Sequence, residues 1–411
     1  MRNARMRKAG MPDTLPKRFS KPFTQQEPIP EEAIKAAVAV LRTGRLHRYN
    51  VAAGEAGETA LLEREFAAWL GVPYCLATAS GGTAMQVALA ACGVEPGAPV
   101  LTNAFTLSPV PGAIHAVGAI PVLVETTENL VIDLDDLAAK ARASGARFLL
   151  LSHMRGHLAD MEALAALCAD LGVAIIEDCA HTMGAAWNGR KSGTFGLAAC
   201  FSTQTYKHIN SGEGGFVTSD DPDVMARAII RSGSYMLYER HLAAPGPAHF
   251  ADARLDMANA SSRMDNLRAA ILRPQLHTLD AQVARWNERY RAIEDGLRAT
   301  PGLALRTIPN EETHVGSSIQ FRLPDLRADR VEPFLTATLA RGVELKWFGS
   351  AEPHGYTSAH QSWRYAGIHA MPQTDRVLSR LFDMRIPLTF TVEDCRLIAA
   401  IIAEEAREAL S

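Results

Sequence analysis

Long apolar runs are missing from this chain. The uninterrupted ones, such as Ala163–Ala169 and Leu397–Ala403, stop at Asp170 and Glu404. A bilayer-spanning helix needs about 20 apolar residues, so these read as buried helix segments. The stretch through Pro22 carries Arg2, Arg5, Arg7, Lys8, Lys17, Arg18 and Lys21 but no apolar centre. A secretory leader requires one, so residues 1–25 read as a solvated, flexible tail. Cysteine is sparse, with six scattered residues and no CxxC pair. They read as buried thiols in a reducing cytoplasm, and no metal is expected. Charge of one sign is also lacking: 42 Lys and Arg face 45 Asp and Glu, a net charge of -3. That balance gives no basic face for nucleic acid. There is no internal repeat and no low-complexity tract. With 47% apolar and 21% charged residues, disorder and collagen-like structure are excluded. A length of 411 residues suits one large domain plus a smaller one.

What is present is an alternation. Amphipathic helices are expected over Glu31–Leu41 and Glu58–Leu70, stopped by Gly44 and Gly71. Short apolar strands at Tyr74–Thr78, Pro99–Asn103, Ile120–Glu125, Arg147–His153 and Val173–Glu177 then alternate with helices at Gly82–Cys92, Ser108–Val117, Leu134–Ala141 and Asp160–Leu171. The strand runs are continuous rather than alternating, as expected when both faces of a parallel sheet are covered. Repeated strand–helix–strand units predict a three-layer αβα domain with a mostly parallel sheet. Further strands are expected at Met183–Trp187, Ala199–Thr203 and Gly215–Ser219, a helix at Pro222–Ser232 and a loop over Ala243–Ala253. A long helical region, Met264–Arg298, is taken as the hinge into a smaller α+β domain, with strands Ser318–Arg322 and Val343–Lys346 and helices Val331–Arg341 and Val392–Leu410. The expected domains are 26–265 and 266–411.

Several features belong together. Ser80-Gly81-Gly82-Thr83-Ala84 lies between a strand and a helix. Free N–H groups at the positive end of a helix bind anions, and small residues allow close approach. Alone, the segment is better read as a tight turn with no ligand, since it has neither a Walker lysine nor GxGxxG spacing. Asp178 ends the run Val173-Ala174-Ile175-Ile176-Glu177. A carboxylate there points into the crevice where α/β proteins bind ligands, though a helix cap is as good a reading in isolation. Lys207 lies between a buried strand and the Gly-rich turn Ser211-Gly212-Glu213-Gly214-Gly215. A lysine so placed can have a lowered pKa and form a Schiff base. Taken jointly, in chain order, these supply a phosphate anchor, an acid for a pyridine nitrogen and a lysine for an aldehyde. That is the chemistry of a pyridoxal 5'-phosphate site.

The segments SGGTAMQVALAACGVEPGAPVLTNAF, HMRGHLADM, IIEDCAHTMGA, FSTQTYKHINSGEGGFVTSDD and SSRMDNLRAAI resemble the DegT/StrS family of sugar aminotransferases over residues 30–400. The resemblance implies the pyridoxal phosphate-dependent transferase fold. It implies Lys207 as the Schiff-base lysine, Asp178 as the acid at the pyridine nitrogen, and Gly82 and Thr83 as the phosphate turn. Ser202 also reaches the phosphate, and His181 lies near the ring oxygen. Glu213 belongs to the loop after the lysine. Where relatives place an aromatic on the ring, this chain has Leu107, with Phe105 two residues earlier, and either can serve. Arg231-Ser232 and Ser261-Ser262-Arg263-Met264 depart from the family's Arg-Asn and Asn-Tyr-Arg-Met, which bears on the phosphate contact between subunits.

A family branch carries histidine in place of the lysine and dehydrates sugars; Lys207 argues for transamination instead. Gln204 resembles the branch that aminates cyclitol ketones with L-glutamine. The expected activity is transfer of an amino group from L-glutamine or L-glutamate to a ketone on a sugar nucleotide, cyclitol or related metabolite. A dehydratase or epimerase using the same cofactor, and a non-catalytic regulatory protein on the same fold, are the alternatives. The acceptor pocket is expected along Arg45–Asn50, Phe105–Pro109, His153–His157, Ser234–His241 and Lys346–Phe348. The fold implies a twofold homodimer that completes each site. Neither nucleic acid nor membrane is an expected partner.

Overall fold

The computed structural model describes residues 17–367 and 369–411. Its central sheet has seven strands. From one edge they are Tyr74–Thr78, Gly215–Ser219, Ala198–Ser202, Ala174–Asp178, Phe148–Ser152, Pro99–Asn103 and Ile120–Val124. All neighbours pair in parallel except Gly215–Ser219, which is antiparallel to both of its neighbours. Strand pleating sends successive side chains to opposite faces, and both faces are covered. Leu149, Leu151, Ile175 and Phe201 enter one core with Leu62 and Phe66. Leu150, Ile176, Cys200 and Val217 enter the other with Met85 and Ile229. The three-layer α/β architecture read from the sequence is the one observed.

The helices between these strands start where the chain supplies caps. Asp133 accepts from the N–H groups of Asp135 and Asp136, and Asp160 from those of Glu162 and Ala163. A second, antiparallel sheet orders Ala304–Leu305, Ser318–Arg322, Leu381–Arg385 and Lys346–Trp347. Its core holds Phe321, Phe334, Phe382 and Phe390. No helix among the described residues is long and apolar enough to cross a membrane.

Some expectations need correction. Residues 17–25 are not a free tail: Phe19 and Phe23 are buried against Phe390, with ring centroids at 4.9 and 5.0 Å. Residues 1–16 lie outside the described residues. The region Met264–Arg298 is two helices, Asn266–His277 and Leu279–Arg298. The expected boundary at 265/266 falls at the start of the first of these helices. Leu272, Leu276, Leu279 and Val283 join the first core of the large sheet, and Tyr290, Ile293 and Leu297 join the core of the antiparallel sheet. Helix Leu279–Arg298 therefore ties these two cores together. Phe250–Asp256, read as part of a loop, is helical because Phe250 and Ala253 pack one turn apart against the sheet's second core. The strand expected over Met183–Trp187 shortens to Ala186–Trp187, and that at Val343–Lys346 shifts to Lys346–Trp347.

Candidate active site

A cavity of about 390 Å³ opens at the C-terminal ends of the parallel strands. Ligands bind α/β sheets at that end because the strands stop and the loops diverge. Asp178 is the last residue of its strand and reaches this cavity. Glu177, on the opposite face, is used structurally. It accepts from the N–H groups of Gly193, Phe195 and Gly196 at 2.7 to 2.9 Å and pairs with His153 at 2.9 Å. Asp178 accepts from the Ser152 hydroxyl and the Ala180 N–H, both at 3.1 Å. Thr106 in turn donates to Ser152 at 2.7 Å. Burial outweighs these donors and the nearby Lys207, so the Asp178 carboxyl is raised above its ordinary value.

Lys207 follows the Ala198–Ser202 strand and also lines the cavity. Its Nζ lies 2.8 Å from His181 Nε2. Burial pushes the amine down to about 7, with Arg155, Arg385 and Lys346 acting the same way and Asp178 opposing. His181 is held well below its usual value by burial first and by Lys207 next, so the imidazole is neutral and can accept from the amine. Near neutrality Lys207 therefore has an unprotonated, nucleophilic fraction that a surface lysine lacks. Capture of pyridoxal phosphate by the cofactor-free protein should accelerate as pH rises through about 7. Stopped-flow absorbance reads this directly, and a rate limb centred near the ordinary lysine value would contradict the depressed amine.

The third wall is the start of the Gly81–Ala91 helix. Ser80 caps it, accepting from the Thr83 N–H at 3.1 Å. The Thr83 hydroxyl is engaged with Ser80 Oγ at 2.8 Å. The N–H groups of Gly81 and Gly82 belong to the first turn, where no intrahelical acceptor exists. Gly81 was not singled out from the sequence, yet it is the tighter position. A Cβ there would lie 2.7 Å from Ser202 Cβ, whereas one at Gly82 would meet nothing closer than Ser80 Oγ at 3.9 Å. The glycine lets the helix end approach Ser202, so amides and hydroxyl converge. Gly81→Ala should cost about 1–3 kcal/mol in urea unfolding and Gly82→Ala much less. Equal stability of the two variants would remove the close-approach argument.

The structure sorts the remaining expectations. Leu107 lies on the cavity wall. Phe105 does not: its N–H donates to Thr126 Oγ1, and its ring turns into a cluster with Leu130, Met154 and Phe348. Ser202 lines the cavity and accepts from the Gln204 N–H at 3.3 Å. Glu213 also reaches the rim. The segments Arg45–Asn50 and Ser234–His241 do not line this cavity. Arg48 is locked by both guanidinium nitrogens to Glu63 at 2.8 Å, and His241 bridges Glu63 and Tyr49. Of His153–His157, Met154 and Arg155 reach the cavity. Sequence reading missed Ser152, Tyr356 and Arg385, which also line it. The Gly-rich turn and the strand end pointed to the site, but nothing local marked these long-range contributors.

The fold and this lysine-bearing cavity define the class: an aminotransferase of the pyridoxal phosphate-dependent fold. The chain belongs to the DegT/DnrJ/EryC1/StrS aminotransferase family, whose model matches residues 28–403. It is 32% identical over 288 residues to the 3-amino-5-hydroxybenzoate synthase of Amycolatopsis mediterranei (strain S699), covering 68% of this chain and 71% of that protein. It is 31% identical over 319 residues to the L-glutamine:2-deoxy-scyllo-inosose aminotransferase of Streptomyces lividus, covering 76% and 73%. The crystal structure of 3-amino-5-hydroxybenzoic acid synthase has a TM-score of 0.80 at 26% identity, covering 94% of this chain and 99% of that one.

The family implies pyridoxal phosphate, and the residues present fit it. The helix start offers unspent N–H donors beside Ser202 for a phosphate. Asp178 is a buried carboxylate with only two donors, suited to a protonated ring nitrogen. Lys207 is a buried amine that is partly unprotonated near neutrality.

Proposed function

We propose that this protein moves an amino group from L-glutamine or L-glutamate to a ketone on a cyclitol, a sugar nucleotide or a related metabolite. The observation that carries this reading is the convergence of Lys207, Asp178 and the Gly81–Gly82 amides on one cavity. L-glutamine as donor and a cyclitol ketone as acceptor are supported by the activity of the Streptomyces lividus relative, an L-glutamine:2-deoxy-scyllo-inosose aminotransferase. When bound, pyridoxal phosphate supplies a ring that takes up the electron pair left as the substrate Cα loses its proton. Asp178 holds the ring nitrogen's proton, and Ser152 and Thr106 orient the carboxylate. Lys207 Nζ holds the cofactor between turnovers and carries the proton to and from Cα. Neutral His181 accepts from that amine and fixes its direction. Gly81, Gly82 and Ser202 bind the phosphate. Leu107 excludes water from the wall it covers.

The same reading includes a twofold homodimer in a reducing cytoplasm. Helix Glu31–Thr43 leaves Ile34, Val38 and Leu41 exposed, and Tyr235, Met236 and Leu242 are exposed on a loop. The described cysteines are all buried and unpaired. In a dimer, the exposed Leu46, His47, Asn50, Tyr235 and Met236 of Arg45–Asn50 and Ser234–His241 would be available to the partner's cavity, while Arg48, Tyr49 and His241 stay buried and engaged with Glu63 and one another.

The test is isotope transfer. The protein is incubated with L-glutamine labelled at the α-nitrogen and a panel of cyclitol, sugar-nucleotide and ring ketones, and products are read by mass spectrometry. Labelled amine on one ketone class is the expected result. Label on none of them, with ketone consumed by loss of water, would favour dehydration instead.

A further inference from the structure

The mechanism above leaves the strap from Lys17 to Pro30 unused. It packs on the core of the antiparallel sheet and then passes along the cavity. It is anchored on both sides of one residue. Before that residue, Phe19 and Phe23 are buried, and the Phe19 N–H donates to the Arg341 carbonyl at 2.8 Å. A Cβ at Gly342 would collide with the Phe19 carbonyl, so this docking needs the glycine. Lys21 pairs with Asp394, and the Thr389 hydroxyl donates to the Gln25 carbonyl at 3.3 Å. After it, Glu27 accepts from both terminal nitrogens of Arg285, at 2.9 and 2.5 Å. Pro28 and Pro30 then restrict the backbone up to the start of helix Glu31–Thr43.

The residue between these anchors is Gln26. It is half-buried and lines the cavity. Its backbone carbonyl accepts from Gln25 at 2.8 Å, but its side-chain amide has no hydrogen-bond partner among the described residues. Gln26, Trp286 and Lys207 also line a smaller cavity of about 90 Å³, which groups the three side chains at one wall. The Trp286 N–H is spent on the Ile386 carbonyl at 3.0 Å, so the indole offers the cavity only ring carbon. Pro387 adds apolar surface on the same cavity.

A side chain whose backbone is fixed on both sides loses little further freedom when it binds. A primary amide donates and accepts at once, as a hydroxyl does, and it carries no charge. Beside apolar ring carbon it suits a saturated ring bearing hydroxyls, whose C–H groups pack on the carbon while a hydroxyl meets the amide. A ketone without hydroxyls would leave the amide unpaired, and a site built to pair a hydroxyl rejects such an analogue.

Resting on the aminotransferase reading, we propose that Gln26 is a specificity-determining residue whose amide pairs with a ring hydroxyl of the ketone acceptor. The acceptor is then a hydroxylated ring ketone rather than a bare one.

The test reads the two steps separately from the yellow band of the loaded protein. The protein is bleached with L-glutamine, freed of donor, and mixed with pentahydroxycyclohexanone or with cyclohexanone. Return of the band times the ketone step. The native protein is expected to prefer the hydroxylated ketone. Gln26→Met, which keeps the length without the amide, should lose about tenfold of that preference, mainly as a higher half-saturating ketone concentration. Bleaching by L-glutamine times the donor step and should change less. Gln26→Glu, which keeps an acceptor for the hydroxyl, should retain more of the preference, and it carries the test if the methionine variant does not fold. Both variants should unfold in urea at the native midpoint, because the amide supports no other contact. Three results would overturn the proposal: no preference in the native protein, an unchanged preference in the variants, or a loss confined to the donor step. Any of these in a protein that L-glutamine bleaches leaves the aminotransferase reading standing. A protein bleached by neither L-glutamine nor L-glutamate loses that reading, and the proposal falls with it.

Discussion

Lys207→Ala is expected to abolish the visible absorption of the purified protein and to lower amino transfer by about a thousandfold or more. The side chain is the amine of this cavity that His181 orients, at 2.8 Å. No neighbour can substitute. Lys346 pairs loosely with Asp383 at 4.0 Å, and His208 is turned to Ser317 at 3.2 Å. His208 is also pushed down to about 3 by burial, then by Lys207, and so is a poor proton carrier near neutrality. The variant should fold normally, because Lys207 makes no ion pair that supports the scaffold. Added amines of small size should restore part of the rate, since they replace the missing proton carrier. A variant that keeps both colour and rate would remove Lys207 from the chemistry.

Asp178→Asn should be nearly as damaging, by about 10²–10⁴ in rate, while retaining the protein's shape. Asparagine preserves the size of the side chain and can still meet Ser152 and Ala180. It lacks the charge that keeps a ring nitrogen protonated. The loss should fall on kcat more than on stability, and urea unfolding of the variant should match the native protein within about 1 kcal/mol. Asp178→Glu should also be poor, because the longer side chain moves the carboxylate off the Ser152 hydroxyl. If Asp178→Asn loses stability rather than rate, the carboxylate is a structural cap and the assignment fails.

The sheet was legible because its strands carry continuous apolar runs bounded by glycine and by capping acids. Asp178 was legible for the same reason, standing at the end of such a run. The second sheet was less so. Its strand Leu381–Arg385 contains Asp383, a buried charge whose partners lie far away in the chain, and that interrupts the apolar signal. Arg385 was hidden with it. Phe19 and Phe23 were read as tail because the residues around them are polar and cationic. Their burial depends on Phe390, which local patterning cannot show. Which of Phe105 and Leu107 lines the cavity depends on how the chain leaves the Pro99–Asn103 strand: Leu107 is on its wall, and Phe105 packs away from it with Leu130, Met154 and Phe348. Gly81 was part of a recognised segment, but the need for it comes from Ser202 across the cavity.

The measurement that bears most directly on the central claim is the visible spectrum of the protein loaded with pyridoxal phosphate and titrated with L-glutamine. The account predicts a yellow protein whose band disappears with added donor, is restored by a keto acid, and never forms in Lys207→Ala. A protein that takes up no pyridoxal phosphate, or whose band is indifferent to L-glutamine and L-glutamate alike, would contradict it.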